Sequence, residues 1–322
     1  MITKNTSERV QLGSFRFIFA FATKIVIEAV TIHAVIWLGN GASAWRTIAI
    51  IYAVLGLITN TISVFSVKEL PETDEGMEEE RTEEHKLTFL KSFGLLLKNK
   101  YYVIICITYI MTQLYASVIG IGTYYAKYIL GSEELFSDLS LAINITMVVS
   151  LIALPMVIQK MGGMYKLNVI GYLIAAVGRI GVMAAGYMGS IPLMLAFTAL
   201  STLGIAPLQG DMNALIASCS EYTTLTTGHR LDGMMFSCSS LGIKLGGVFG
   251  TAICGWLLDA AGYVENAAVQ TDATIGMLQV LYLWAPVIIC GAVLLLISLL
   301  KVEKANEKLL EEKKADHINP AQ

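Results

Sequence analysis

Residues 275–300 read IGMLQVLYLWAPVIICGAVLLLISLL, an uninterrupted apolar run that contains no charged side chain. As an α-helix this run would extend about 39 Å, which exceeds the roughly 30 Å of hydrocarbon in a bilayer. Membrane β-barrels are an alternative, but their strands alternate apolar and polar residues over about ten positions, and this run does not. The stretch therefore predicts a membrane-spanning helix.

Similar blocks recur along the chain and predict an all-α polytopic membrane protein with eight spans. Of the 322 residues, 55% are hydrophobic and only 15% are charged, whereas a soluble domain carries about 25% charged residues. Two spans within residues 1–67 precede a hydrophilic connection at 68–100. Six spans follow within 101–300, and a charged tail occupies 301–322. The predicted spans cover residues 17–38, 48–67, 103–130, 139–158, 167–187, 191–216, 234–258 and 275–300.

The distribution of charge predicts the orientation of the chain. Most of the 22 Lys and Arg residues fall on the side of the membrane that also holds both termini. Because basic residues are retained on the cytoplasmic side, we expect both termini to be cytoplasmic, in a cell (inner or plasma) membrane. In the connection, residues 68–86 are rich in Glu, whereas residues 87–100 (LTFLKSFGLLLKNK) are amphipathic. The latter pattern is typical of a helix that lies on the membrane surface.

Charged residues inside the spans need a partner or water, since each costs several kcal/mol in hydrocarbon (roughly 2.5–3.5 for Lys or Asp). Lys24 and Glu28 lie one turn apart in the first span and can neutralise each other. They are either a structural pair or part of the lining of a cavity that couples cation movement. Lys244 lies in the middle of the seventh span without an acid nearby in its own helix. Ser240 precedes it by one turn on the same face, beside Ser239. This arrangement favours a functional role for Lys244.

Other polar side chains in the spans have two interpretations, namely contacts to a hydroxylated solute or hydrogen bonds that hold helices together. Gln209 and Asp211 follow Pro207 in the sixth span, and Pro207 with Gly210 predicts a broken helix of the kind that transporters place beside a substrate. Arg179, in the fifth span, either bridges helices or extends toward the membrane surface. The third and fourth spans contribute further candidates: Tyr109, Gln113 and Asn144.

Several common chemistries find no support in the sequence. It contains no Walker loop, no dinucleotide-binding glycine pattern, no HExxH and no GxSxG. The five cysteines lack metal-ligand spacing, and the four histidines belong to different segments. We therefore predict neither an enzyme nor an ATP-driven pump, and no metal, cofactor or nucleic-acid partner.

The stretch EYTTLTTGHRLDG at 221–233, followed by Ser237 and by Lys-Leu-Gly-Gly at 244–247, resembles a known transporter family. It is similar to the region between the tenth and eleventh helices of the glycoside–pentoside–hexuronide:cation symporters, the melibiose-permease-like branch of the major facilitator superfamily. The shared pattern is an acid-Tyr pair, Gly-x-Arg-x-acid-Gly, a small residue and an intramembrane Lys. Near the start, TKNTSER at 3–9 and Arg16 resemble the segment that enters the family's fifth helix. Ser218 departs from the pattern, since the family commonly has Asp there.

The resemblance implies a major facilitator-type fold, in which two six-helix bundles enclose a central sugar cavity. This chain would correspond to helices five to twelve and would lack the first four, which in the family carry the aspartates that hold the coupling Na⁺ or H⁺. Lys244 would join the cation and sugar networks. The expected substrate-binding residues are Lys244, Ser240, Ser239, Gln209, Asp211, Gln113, Tyr109 and Asn144. The expected cytoplasmic gate consists of Arg9, Arg16, Arg230 and Glu221, and the expected cation-coupling residues are Lys244, Glu28 and Lys24.

Two functions remain open at this point. The first is symport of a small sugar (a glycoside, pentoside or hexuronide) with a monovalent cation by alternating access, with the chain incomplete on its own. The second is a non-transporting remnant, or a sensor-like membrane protein on a transporter scaffold. Both place the chain in a lipid bilayer.

Overall fold

The computed structural model describes residues 6–39, 41–66, 89–132, 134–229, 231–265 and 267–318, and the regular elements in these ranges are all helical. Two π-helical turns, Ala126–Leu130 and Val280–Trp284, interrupt otherwise α-helical segments. The α-helices are α1 Thr6–Trp37, α2 Ala42–Ser66, α3 Phe89–Lys98, α4 Lys100–Gly120, α5 Gly122–Tyr125, α6 Glu134–Met161, α7 Met164–Tyr187, α8 Ile191–Thr227, α9 Asp232–Ala260, α10 Asp272–Gln279, α11 Ala285–Leu299 and α12 Val302–Ile318.

The predicted all-α membrane bundle is confirmed, but the count of eight spans is not. In the described ranges, seven helical segments are long and apolar enough to cross a bilayer, and they coincide with the second to eighth predicted spans. The first predicted span falls in α1, of which only Ile18–Ile27 forms a shorter apolar stretch. Lys24 and Glu28 lower the hydropathy of this segment, so its crossing of the membrane stays a prediction.

The helices after α3 pack into one bundle, to which α1 is attached. α7 packs along α8, α9 packs along α4, and α11 contacts both α4 and α7. α1 lies across α6 and α8, while α2 contacts α1 and leaves most of its side chains exposed. A hydrophobic core built from residues of the six long helices after α3 occupies the centre of the bundle.

Small residues set the distance between α7 and α8. A Cβ atom added to Gly171 would lie 2.6 Å from the carbonyl oxygen of Gly204, and one added to Gly178 would lie 2.6 Å from the backbone nitrogen of Ser201. Such contacts are far shorter than van der Waals separations, so glycine is required where these backbones meet. Close approach through small residues is the usual way in which membrane helices associate.

The predicted break at Pro207 is wrong, because α8 runs as a single helix from Ile191 to Thr227 with Pro207 in its interior. The surroundings of the proline are closely packed. Pro207, Gly204 and Gly210 are all buried, and the Pro207 ring lies close to Gly171 of α7. Tertiary packing on several sides keeps the helix intact, as it does for prolines in other membrane helices.

Helices α3 and α12 flank the bundle. α3 is amphipathic and is followed by Asn99, whose side-chain oxygen accepts the N–H groups of Tyr101 (2.9 Å) and Tyr102 (3.2 Å) and so caps α4. α12 packs against α8. The segment predicted as a surface helix is helical over Phe89–Lys98, and the segment predicted as a charged tail is helical over Val302–Ile318. The division of the chain at residues 67, 100 and 300 stays a prediction.

Candidate functional site

A glycine stripe joins α9 to α4 and fixes which face of α9 points outward. Gly242, Gly246 and Gly250 recur every four residues and therefore lie on one face. An added Cβ would lie 2.5 Å from the Tyr109 Cβ at Gly242, and 2.5 Å from the Ile110 carbonyl oxygen at Gly246. Side chains two positions away in sequence point to the opposite face of α9.

Lys244 and Ser240 lie on that opposite face, and both are exposed. Within the described part of the chain, Lys244 makes no hydrogen bond or ion pair. Ser239 is half-buried and donates to the Phe236 carbonyl of its own helix at 2.8 Å. The same outward face carries Val248, which is 64% exposed, so Lys244 is an isolated charge on a largely apolar surface.

A small cavity lies where α4, α7, α8 and α11 converge, and Gln209 lines it. Its volume is about 10 Å³, which is close to the space of one water molecule. Tyr109 and Gln113 lie nearby on α4, and the Tyr109 hydroxyl donates to Asn213 Oδ1 of α8 at 3.4 Å. The remaining cavity residues are Thr112, Tyr115, Tyr172, Ile205, Ile289, Cys290 and Val293. The structure thus places Gln209 in the cavity wall and Tyr109 in contact with α8, while Gln113 lies against Gly246 of α9.

Asp211 and Asn144 do not line this cavity and are almost wholly buried. Asp211 Oδ2 accepts a hydrogen bond from Asn168 Nδ2 of α7 at 2.7 Å. In the described residues, Asp211 Oδ1 and Asn144 Nδ2 have no hydrogen-bond partner. Asn168 could not be singled out from the sequence, because a pairing between two helices depends on how they pack. This pair holds α7 to α8, and a contact between Asp211 and a solute stays a prediction.

Arg179 bridges helices and does not extend to the membrane surface. Its side chain is only 2% exposed, and its guanidinium lies 5.1 Å from the centre of the Tyr115 ring of α4. A cation over an aromatic face gains electrostatic stabilisation, which is larger in a desolvated site. Of the two interpretations of Arg179, the bridging one is therefore correct.

The remaining charged candidates lie at the edges of the structure. Lys24 and Arg16 are exposed on α1 and both take part in interactions. Glu221 is exposed near the end of α8, and its Oε2 accepts from Asn306 Nδ2 at 3.4 Å. Arg230 lies outside the described residues, and so do the side chains of Arg9 and Glu28. Their expected roles in the gate and in cation coupling stay predictions.

A polar network at the α3 end of the bundle was not predicted. Asn99 Nδ2 donates to the Cys219 carbonyl (3.0 Å) and to Thr223 Oγ1 (2.8 Å), joining the start of α4 to α8. The Ser220 hydroxyl donates to Asp232, which joins α8 to the start of α9. The acid of the Gly-x-Arg-x-acid-Gly pattern therefore holds two helices together at this end.

α12 makes a second set of polar contacts with the bundle. The two carboxylate oxygens of Glu303 accept the backbone N–H groups of Met164 (3.2 Å) and Tyr165 (2.9 Å) and so cap α7. Asn306 Nδ2 donates to the Ser218 carbonyl of α8 at 2.8 Å. The pattern of acids and amides in the tail gave no signal for these contacts, because they depend on where α12 lies.

Comparison with protein families supplies the identification. The family described as MFS/sugar transport protein matches residues 1–304. The chain belongs to this family. The expected resemblance to the glycoside–pentoside–hexuronide:cation symporters is confirmed, and the chain is a multi-pass membrane protein.

Two relatives illustrate how much of a family member the chain covers. The isoprimeverose transporter of Lactiplantibacillus pentosus is 23% identical over 98% of this chain and 65% of the relative. The uncharacterized symporter YnaJ of Bacillus subtilis (strain 168) is 27% identical over 86% of this chain and 59% of the relative. The chain thus spans about three-fifths of the length of the relatives that it matches.

Proposed function

We propose that this chain forms part of a symporter that carries a small sugar with Na⁺ or H⁺ across the cell membrane by alternating access. Both termini would be cytoplasmic, residues 1–67 would belong to the first helical bundle, and residues 101–300 would form the second. Membership of the MFS/sugar transport family supports the proposal, and so do relatives named as a sugar transporter and a symporter.

The observation that carries the proposal is the isolated charge of Lys244 on the outward face of α9. The ammonium group and the Ser240 hydroxyl project from the same face, and neither is covered by the bundle. A lysine at the centre of a span is costly against lipid tails, by roughly 2.5–3.5 kcal/mol. That cost falls if a water-filled cavity or a carboxylate of the first bundle faces the amine. A sugar and a cation bound together in such a cavity would favour its closure more strongly than either would alone, and this is thermodynamic coupling.

Three polar side chains provide the adjoining part of the proposed site. Gln209 of α8 lines the small central cavity, and Tyr109 and Gln113 of α4 lie against the glycine stripe of α9. Amide and phenol groups match the paired donors and acceptors of sugar hydroxyls. Because the cavity in this structure has room for about one water molecule, sugar binding here requires helices to move apart, as alternating access supplies.

The test is uptake into proteoliposomes of labelled isoprimeverose and a panel of other glycosides, pentosides and hexuronides. Na⁺ and pH gradients are imposed separately. The protein is used both as the given chain and joined to the first four helices of a relative. We expect accumulation by the joined protein under one of the two gradients, and a loss of at least tenfold in Lys244→Gln. The matched variant Lys301→Gln, which removes an exposed charge between α11 and α12, should retain uptake.

Full accumulation by Lys244→Leu would contradict the proposed role of this residue. The second candidate is a non-transporting remnant or a sensor-like membrane protein on a transporter scaffold. It predicts that neither form accumulates any sugar under either gradient. A sensor would still bind a sugar, whereas a remnant would not, so equilibrium binding of the same panel separates the two.

A further inference from the structure

A cleft outside the proposed transport site lies between the surface helix α3 and the end of α8. Its volume is about 490 Å³. Four lining residues come from α3, one is the last residue of α8 and one belongs to the connection between α8 and α9: Lys91, Gly94, Leu95, Lys98, Thr227 and His229. The lining includes two lysines and a histidine but no acidic side chain, so the cleft is suited to an anion.

The sequence of α3 divides its surface into three faces. Each residue turns the helix by about 100°, so the four cleft residues of α3 share one face of roughly 100°. Ser92 and Leu96 are buried against the bundle. Phe93 and Leu97 are 42% and 53% exposed and form an apolar face beside the cleft. A molecule with a negatively charged end and an apolar end would match these two adjoining faces.

Gly94 leaves the cleft open at its centre. A Cβ atom added to this residue would meet nothing within 4 Å. Lys91 and Lys98 stand about 10 Å apart along the helix axis, on either side of it. Both lysines are exposed, and their long side chains can approach one bound group from two directions.

The opposite wall is held in place by the end of α8. Gly228 adopts a left-handed conformation (φ 73°), and its N–H donates to the Thr224 carbonyl at 3.0 Å. The His229 N–H then donates to Thr227 Oγ1 at 3.3 Å. These bonds hold the backbone of this wall in place, and Thr227 and His229 line the cleft together with the two lysines.

We propose that this cleft binds the phosphate headgroup of an anionic phospholipid. One residue separates α3 from α4, which is long and apolar enough to cross a membrane, so the cleft would lie near the depth of the headgroups. The phosphate would lie between Lys91 and Lys98, and the acyl chains would pass along Phe93 and Leu97. Basic pockets of this kind on membrane proteins are suited to acidic headgroups. The bound lipid would fix α3 against the end of α8.

The test measures binding of dioleoylphosphatidylglycerol to the full chain in phosphatidylcholine nanodiscs, by native mass spectrometry after lipid titration. In the double variant Lys91→Gln/Lys98→Gln we expect binding about tenfold weaker, since each lysine near an acidic membrane surface contributes measurably to attraction. Gly94→Leu fills the cleft without changing charge and should weaken binding to a similar extent. Leucine also favours the helix, so this variant is expected to fold.

The control is Lys160→Gln/Lys166→Gln, which removes two exposed charges from the neighbouring ends of α6 and α7. It should bind the lipid as the unmodified protein does. An equal loss in the control, or no preference for phosphatidylglycerol over phosphatidylcholine, would overturn the proposal. A competition experiment adds soluble glycerol phosphate at millimolar concentration to the lipid-bound protein. Complete displacement of the lipid would show that the site takes free phosphate esters.

Discussion

The glycine stripe of α9 gives the sharpest prediction about what holds the bundle together. Gly246 faces α4, and a Cβ added there would lie 2.5 Å from the Ile110 carbonyl oxygen and 2.7 Å from the Gln113 Cβ. Gly247 is the next residue, and a Cβ added there would meet nothing within 4 Å. Gly246→Ala and Gly247→Ala therefore make the same chemical change in one helix with different steric consequences.

The size of the effect follows from these distances. Ordinary contacts begin near 3.4 Å, so α4 and α9 must separate by about 1 Å to accept a methyl group at Gly246. Overpacking of this kind costs about 1–3 kcal/mol. Replacing glycine by alanine in a helix gains about 1 kcal/mol at either position. The gain cancels in the comparison, and we expect Gly246→Ala to have the lower unfolding free energy by about 1–3 kcal/mol.

The assay is reversible unfolding in mixed micelles, followed by tryptophan fluorescence as the denaturing detergent is increased. Gly242→Ala should match Gly246→Ala, since its added Cβ would lie 2.5 Å from the Tyr109 Cβ. Gly255→Ala, which meets nothing within 4 Å, should match Gly247→Ala. Equal unfolding free energies for Gly246→Ala and Gly247→Ala, within about 0.5 kcal/mol, would refute the close contact between α4 and α9.

Three further changes test buried or capping hydrogen bonds by the same unfolding assay. Asp211→Ala leaves the buried Asn168 amide without its acceptor and should lower the unfolding free energy by about 1–3 kcal/mol. Glu303→Ala removes both bonds that cap α7 and should cost about 1–2 kcal/mol, whereas Glu307→Ala, an exposed change in the same helix, should cost less than about 0.5. Asn99→Ala removes a cap and two bonds to α8, so it should cost at least about 2 kcal/mol.

Two results in this set would contradict the structure. An Asn168→Ala/Asp211→Ala double variant should lose less stability than the sum of the single variants, because the two side chains share one bond. Strict additivity would show that they do not interact. Equal effects of Glu303→Ala and Glu307→Ala would show that α12 does not cap α7.

The positions of the long helices could be predicted from the sequence, because membrane spans are specified locally. An apolar run such as 275–300 satisfies its backbone hydrogen bonds within itself and needs no information about neighbours. The surface helix α3 was predictable for a similar reason, since its amphipathic pattern lies within the ten residues Phe89–Lys98. The first span was harder, because Lys24 and Glu28 weaken the hydropathic signal in α1.

The contacts between helices could not be predicted to the same extent. Asn168 was missed because its partner Asp211 is 43 residues away, and only the packing of α7 on α8 brings them together. The expected break at Pro207 failed for the same reason, since burial on all sides maintained the helix. The stripe of Gly242, Gly246 and Gly250 did leave a signal, because small residues at every fourth position in an apolar helix indicate a packing face. That signal would also have shown which face of α9 presents Lys244.

Accessibility of position 244 to water tests the account most directly. A Lys244→Cys variant is made in the protein joined to the first four helices of a relative, in a background with the native cysteines replaced. It is treated in proteoliposomes with a membrane-impermeant maleimide, which reacts only with a hydrated thiolate. Leu295→Cys on α11, where the side chain is 68% exposed, provides the lipid-facing comparison. We predict that the thiol at 244 reacts at a rate near that of Lys301→Cys, outside the spans, while the thiol at 295 stays unmodified. A thiol at 244 as inert as the one at 295 would place Lys244 against lipid and contradict the proposed cavity.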